Sequence, residues 1–199
     1  MFHLHLADGT EVWLDALSSI RFPGAFPKGD RIVEVNGQAY FEVAKNPAQP
    51  FKVKSGRQVI EVLGTHFNIN TYNREMVRTT LLEGSVKVQA DKSAIVIQPG
   101  QQAVLSAELR LSTNASPDLD EVMAWKNGRF QFNGNTMEEI MDEIARWYDI
   151  KVVYKDKINE TFVADINRNL PISKLLSLLE MTHQIKFVID GDQVTVTKW

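Results

Sequence analysis

The feature that most constrains this chain is a change of hydrophobic period near Ser112. Before it, apolar residues alternate with polar neighbours: Val12 with Leu14, Phe51 with Val53, Phe67 with Ile69, Val86 with Val88, Ile95 with Ile97. A period of two is that of a strand with one buried face. Turn chemistry separates the runs at Asp8-Gly9, Pro23-Gly24, Asn36-Gly37, Ser55-Gly56, Glu83-Gly84 and Pro99-Gly100. Asn36-Gly37 is the strongest hairpin signal, because a type I′ turn needs positive φ at both central residues. No helical period occurs over residues 1–112. That predicts an all-β domain there: a sandwich, a barrel or a short β-solenoid.

Residues 113–127 read as a linker and a short helix. Ser112–Asp118 is polar and carries a proline, and Ser116-Pro117 suits an N-cap and first helical position, with the helix reaching about Trp125. From Gly128 the period changes to that of a small α+β domain over 128–199. A strand at Arg129–Phe132 leads to a helix opened by a Thr136/Glu139 capping box, whose apolar face is Met137, Ile140, Met141, Ile144 and Trp147. Strands follow at Lys151–Tyr154 and Thr161–Ile166. A second helix from Pro171 carries Ile172, Leu175, Leu176 and Leu179. Strands Ile185–Ile189 and Gln193–Thr197 close the chain around Asp190-Gly191. Ile150–Tyr154 matches Ile185–Ile189 at an offset of 35, and the same offset carries Met137 to Ile172 and Ile144 to Leu179. The domain is therefore a duplicated βαβ unit, βαβ-βαββ. The expected arrangement is one sheet with two helices on one face and an open edge strand.

Composition removes several function classes. There is no cysteine, so disulfides, thiolate metal sites and cysteine nucleophiles are absent. A net charge of −3 without a basic run argues against nucleic acid. No run of about 18 apolar residues predicts a membrane span, and no signal peptide is visible. The chain opens inside a strand pattern, as a fragment would.

Sites of chemistry are sparse. His3-x-His5 could join His66 as metal ligands on facing strands, but no carboxylate falls at a matching spacing, so no metal is expected. Glu138, Glu139, Asp142 and Glu143 read as a solvated helix face near a helix N-terminus. There is no G-x-S-x-G, and Gly64-Thr65 is not a phosphate loop. Neither catalysis nor a cofactor is expected.

Five segments carry a resemblance. They are Asp8–Leu14, Gly37–Val43, Val62–Ile69, Leu82–Val86 and Pro99-Gly100-Gln101, with Arg31 opening a strand and Pro50–Val53 between them. In this order they resemble the periplasmic sensor region of FecR-type anti-sigma factors. Gln38 stands where that pattern usually has glutamate, which puts any pairing of that position with Arg31 in doubt. The second half is similar to the C-terminal domain that follows FecR regions in Bacteroidetes-type proteins, and to the short N-terminal domain of secretins and TonB-dependent transducers. Its marks are Trp125–Phe132, the helix ending Arg146-Trp147-Tyr148, and the repeat.

The resemblance implies a partner rather than a substrate: the signalling domain of an outer-membrane TonB-dependent transducer. The sigma factor is reached only through a cytoplasmic segment outside this chain, and the location is periplasmic. Strand addition at an open edge fits that role. It names Thr161, Phe162, Val163 and Asp165 on one strand, Gln193, Thr195, Thr197 and Trp199 on another, and Tyr148 as an aromatic contact. The alternative reading is a carbohydrate- or small-ligand-binding β domain with an appended assembly domain; Tyr40, Phe41 and Phe67 are the residues that would line its pocket, though their alternation suggests core.

Overall fold

The alternating half folds into thirteen short strands. They run β1 (Phe2–His5), β2 (Glu11–Leu14), β3 (Ser19–Arg21), β4 (Arg31–Asn36), β5 (Gln38–Glu42), β6 (Phe51–Ser55) and β7 (Gln58–Val62). Then come β8 (His66–Asn70), β9 (Met76–Glu83), β10 (Val86–Ala90), β11 (Ser93–Ile97), β12 (Gln102–Ser106) and β13 (Leu111–Asn114). The computed structural model describes all 199 residues, which fall into two units, Met1–Val122 and Met123–Trp199.

In the first unit the strands form two sheets. One has the order β1-β2-β5-β8-β9-β12-β13 and is antiparallel throughout. The other has the order β11-β10-β7-β6-β4-β3, with β4 and β6 its parallel pair. The alternating residues of both sheets enter one core: Val12, Phe41, Phe67, Ile69 and Leu81 from the first, Val33, Phe51, Val53, Ile60 and Val88 from the second. Phe41 stacks on Phe67 at 5.0 Å, and Phe51 of the opposite sheet meets Phe41 edge-on at 6.1 Å. Each such side chain contributes about 1.5–3 kcal/mol on burial. Of the three architectures open to an all-β chain, this one is the sandwich.

Asn36-Gly37 is not a hairpin. It joins β4 of one sheet to β5 of the other, so the positive φ of Gly37 (95°) serves a sheet-switching corner. The predicted end of the β domain also moves, because Thr113 and Asn114 belong to β13, paired with Ala103 and Gln102. The short helix α1 (Leu119–Ala124) is capped by Asp118 rather than Ser116. The Asp118 carboxylate accepts the Asp120 and Glu121 backbone N–H groups at 3.0 and 3.1 Å.

The second unit runs β14 (Arg129–Thr136), α2 (Met137–Tyr148), β15 (Lys151–Tyr154), β16 (Thr161–Asn167), α3 (Ile172–Glu180), β17 (Ile185–Asp190) and β18 (Gln193–Lys198), the βαβ-βαββ order. The capping box forms: Thr136 Oγ1 accepts the Glu139 N–H at 3.2 Å, and the Glu139 carboxylate accepts the Thr136 N–H at 3.0 Å. The single sheet does not form. β14 pairs with β16 alone, and β15, β18 and β17 make a separate sheet. The reason lies in the helix faces. Met137, Ile140, Met141 and Ile144 of α2, with Leu175, Leu176 and Leu179 of α3, share a core with Phe130, Phe162 and Ile166 of one sheet and Ile185, Val194 and Val196 of the other. The apolar faces of both helices thus join the two sheets in one core.

Candidate functional site

The two strands expected to offer an edge differ in their pairing. β16 bonds only to β14, so its other edge is open. β18 is parallel to β15 on one side and antiparallel to β17 on the other, so strand addition at Gln193, Thr195 and Thr197 is closed. Those three stand half-buried on the sheet face away from Val194 and Val196, with Thr195 between Val153 and Val188. On β16, Val163 is 78% exposed and Thr161 is also exposed. Phe162 is a core residue. Asp165 is held by Arg129, whose Nε donates to Oδ1 at 2.6 Å while a terminal nitrogen pairs with Oδ2. Trp199 is exposed with Lys186 Nζ 4.3 Å from its ring centroid, and its backbone N–H donates to the Gln184 carbonyl at 3.1 Å.

Tyr148 is anchored rather than offered. Its hydroxyl donates to the Leu170 carbonyl at 2.6 Å and its ring stacks on Phe130. Burial raises its pKa, opposed by the nearby Arg168 charge. Arg168 itself is a buried residue that the sequence did not single out. Its Nε donates to the Arg129 carbonyl at 3.0 Å, and a terminal nitrogen pairs with Glu143. Its guanidinium lies 4.6 Å from the Phe130 centroid and 5.1 Å from that of Trp147. Glu143 therefore leaves the supposed solvated face and becomes the counter-charge of a buried arginine.

In the first unit, cross-strand register lines polar residues across the outer face of the seven-stranded sheet. His5 faces Glu11, Glu11 faces Glu42, Glu42 faces His66, and His66 faces Glu83. His66 pairs with Glu83 at 3.2 Å. It sits three strands from His5, too far to share a ligand with the pair near the start of the chain. Tyr40 lies one pair along on the same face. Burial raises its pKa, with Glu42 and then Glu83 adding to the effect. Phe41 and Phe67 point the other way, into the core, so the aromatic pocket of the alternative reading does not form.

Arg31, which opens β4, is the largest fully buried side chain of this unit. Its Nε donates to the Gln49 carbonyl at 2.8 Å, and Nη1 donates to the Ala44 carbonyl at 2.9 Å and to Asp8 Oδ2 at 2.7 Å. Asp8 also accepts the Thr10 N–H and hydroxyl, at 3.1 and 2.8 Å, and Thr10 Oγ1 accepts the Ala44 N–H at 3.1 Å. One network thus ties the Asp8-Gly9-Thr10 turn to the strand arginine. Arg31 draws its counter-charge from Asp8, so glutamine at position 38 costs it no partner.

These sequence and structural features agree with independent comparisons. Residues 1–87 match the family FecR protein, and residues 129–196 match FecR, C-terminal. The chain belongs to the FecR family. No curated protein gives a significant match. Two crystal structures of a candidate anti-sigma factor from Parabacteroides distasonis superpose with a TM-score of 0.88 at 23% identity, covering 100% of this chain and 94% of theirs. That likeness shows the fold. FecR membership gives the chain a sensor and regulator role.

The FecR motifs have a common physical meaning in this sandwich. Gly37 joins β4 to β5, Gly64 joins β7 to β8, and Gly84 lies between β9 and β10, and each connection passes from one sheet to the other. A Cβ on Gly37 would lie 2.8 Å from Ser18 Cα, and one on Gly64 2.6 Å from Lys45 Cα. On Gly84 it would meet Thr65 Oγ1 at 2.9 Å. All three have positive φ. Thr65 completes the junction by donating its hydroxyl to the Ser85 carbonyl at 3.1 Å. The Val62–Ile69 and Leu82–Val86 motifs therefore mark corners where the chain changes sheet. They also line an open groove with Lys87 and Val96.

Proposed function

We propose that this FecR chain is the periplasmic sensor region of a membrane-anchored sigma-factor regulator, and that it takes its signal from the signalling domain of an outer-membrane TonB-dependent transducer. The open edge of β16 carries the reading. In a unit where β18 is paired on both sides, Thr161–Asn167 presents one unpaired edge beside an exposed Val163, the arrangement that strand addition uses. Contact with the sigma factor belongs to the cytoplasmic segment of full-length family members. No helix here is long and apolar enough to cross a membrane.

The test is titration of the chain with the signalling domain of its transducer. Val163→Lys places a charge on the edge without touching the core and should weaken binding about tenfold or more, as lysines on edge strands oppose pairing. Val188→Lys, on the outer face of the other sheet, should bind like the parent. Equal binding by Val163→Lys and the parent would remove β16 as the contact.

A further inference from the structure

We propose that His3, His5 and Glu11 form a binding site for a divalent transition-metal ion of the zinc class, at the edge of the seven-stranded sheet. Successive outward residues of β1 supply the two imidazoles, and β2 supplies the carboxylate. The ligand atoms of all three lie within 4.8 Å of one another. His3 Nε2 is 3.1 Å from one Glu11 oxygen, and His5 Nδ1 is 3.6 Å from the other. Tetrahedral zinc with bonds of about 2.0–2.1 Å holds its donors about 3.4 Å apart, between those two distances. Each imidazole nitrogen thus lies near that spacing from one of the two Glu11 oxygens, and the whole set closes to within 4.8 Å.

The supporting geometry favours a held site over three loose side chains. His3 stacks on Trp13 at 4.2 Å with an interplanar angle of 9°, and Trp13 packs against Tyr40 at 5.5 Å. The His3 ring is therefore fixed while its Nε2 faces Glu11. The register that brings His5 opposite Glu11 is set by the Asp8-Gly9 hairpin, where the Leu6 N–H donates to the Thr10 carbonyl at 2.8 Å. Two imidazoles and one carboxylate suit zinc, nickel or copper. Calcium and magnesium require six or more oxygens and do not fit. The side chains are partly exposed, which leaves a coordination position for water. A bound ion would clamp β1, an edge strand, to β2.

The experiment is calorimetric titration of the untagged 199-residue chain with zinc chloride, and separately with calcium chloride. One zinc should bind per chain and calcium should not. His3→Ala, His5→Ala and Glu11→Gln should each weaken zinc binding about tenfold or more, since losing a ligand costs at least what losing a group that hydrogen-bonds a ligand does. His66→Ala should leave it unchanged. Melting curves without metal should be near the parent's for all four variants, because these side chains lie on the surface. Zinc should raise the melting temperature of the parent and not of Glu11→Gln. No saturable zinc binding, or binding that Glu11→Gln and His3→Ala leave intact, would overturn the site.

Discussion

The Asp8 carboxylate lies 2.7 Å from a terminal nitrogen of Arg31, and the Arg31 side chain is 1% exposed. A fully buried guanidinium is stable only where hydrogen bonds and a counter-charge replace its water. Here the Gln49 and Ala44 carbonyls take two N–H groups and Asp8 supplies the charge. Nη2 has no hydrogen-bond partner, and the guanidinium instead lies over Phe51, 5.3 Å from the ring centroid. The Asp-Gly-Thr motif and the strand arginine of the FecR pattern are two halves of this arrangement.

Asp8→Asn keeps the shape and removes the charge. It should cost about 3–5 kcal/mol of folding stability, the range for breaking one side of a buried pair. Arg31→Met should cost a similar amount. The double variant should lose clearly less than the sum, because neither residue is then left without its partner. Urea denaturation measures all three. A loss of under about 1 kcal/mol for Asp8→Asn would mean that the pair does not hold the arginine.

The sheet-switching corners make a second prediction. Alanine at Gly134 or Gly191 meets nothing within 4 Å and pays only for its positive φ, about 1 kcal/mol. Alanine at Gly37 or Gly64 adds a clash with the Ser18 or Lys45 backbone, which raises the loss to about 2–4 kcal/mol. Thermal melts of the four variants should fall into these two groups. A Gly64→Ala protein as stable as Gly191→Ala would show that the corner can open.

Local features were legible in the sequence, and long-range pairings were not. Strand alternation and the Thr136/Glu139 box depend on residues a few positions apart, so they could be read directly. Asn36-Gly37 misled because positive φ serves a hairpin and a sheet corner equally, and only Ser18, far off in sequence, distinguishes them. The place of β18 between β15 and β17 depends on a parallel pairing across some forty residues, for which no local signal exists. Arg168 with Glu143 is the same kind of case. Glu11 is legible in principle: folding the chain about Asp8-Gly9 puts it opposite His5, a cross-strand neighbour that spacing along a single strand does not reveal.

Arg168 should resist conservative replacement. Arg168→Lys keeps the charge but loses the planar contact with Phe130 and Trp147 and the fork that reaches both Glu143 and the Arg129 carbonyl. A loss of about 2–3 kcal/mol is expected, the scale for a buried charged group with broken hydrogen bonds. Trp147 donates its ring N–H to the Arg168 carbonyl at 3.1 Å, so its fluorescence should report the change. Unchanged emission and stability would show that charge alone suffices there.

Alkaline pH gives the last prediction. Three of the four tyrosines are held protonated beyond the ordinary range. Burial is the largest cause at each. At Tyr154 it combines with the Asp142 and Glu138 charges to push the pKa up to about 12. An unfolded tyrosine ionises near pH 10. Below that value both states keep their protons, and the native contribution is complete. Above it the unfolded chain releases protons that the native chain retains, which favours unfolding, so stability falls from about pH 10 and continues to fall through about 12. The melting temperature should drop steeply over that window. At about pH 11 the tyrosinate absorbance of the native chain should stay well below that of the urea-unfolded chain, where nearly all four tyrosines are ionised. Equal absorbance in the two states, with the chain still folded by circular dichroism, would refute the burial of Tyr40 and the raised pKa of Tyr154.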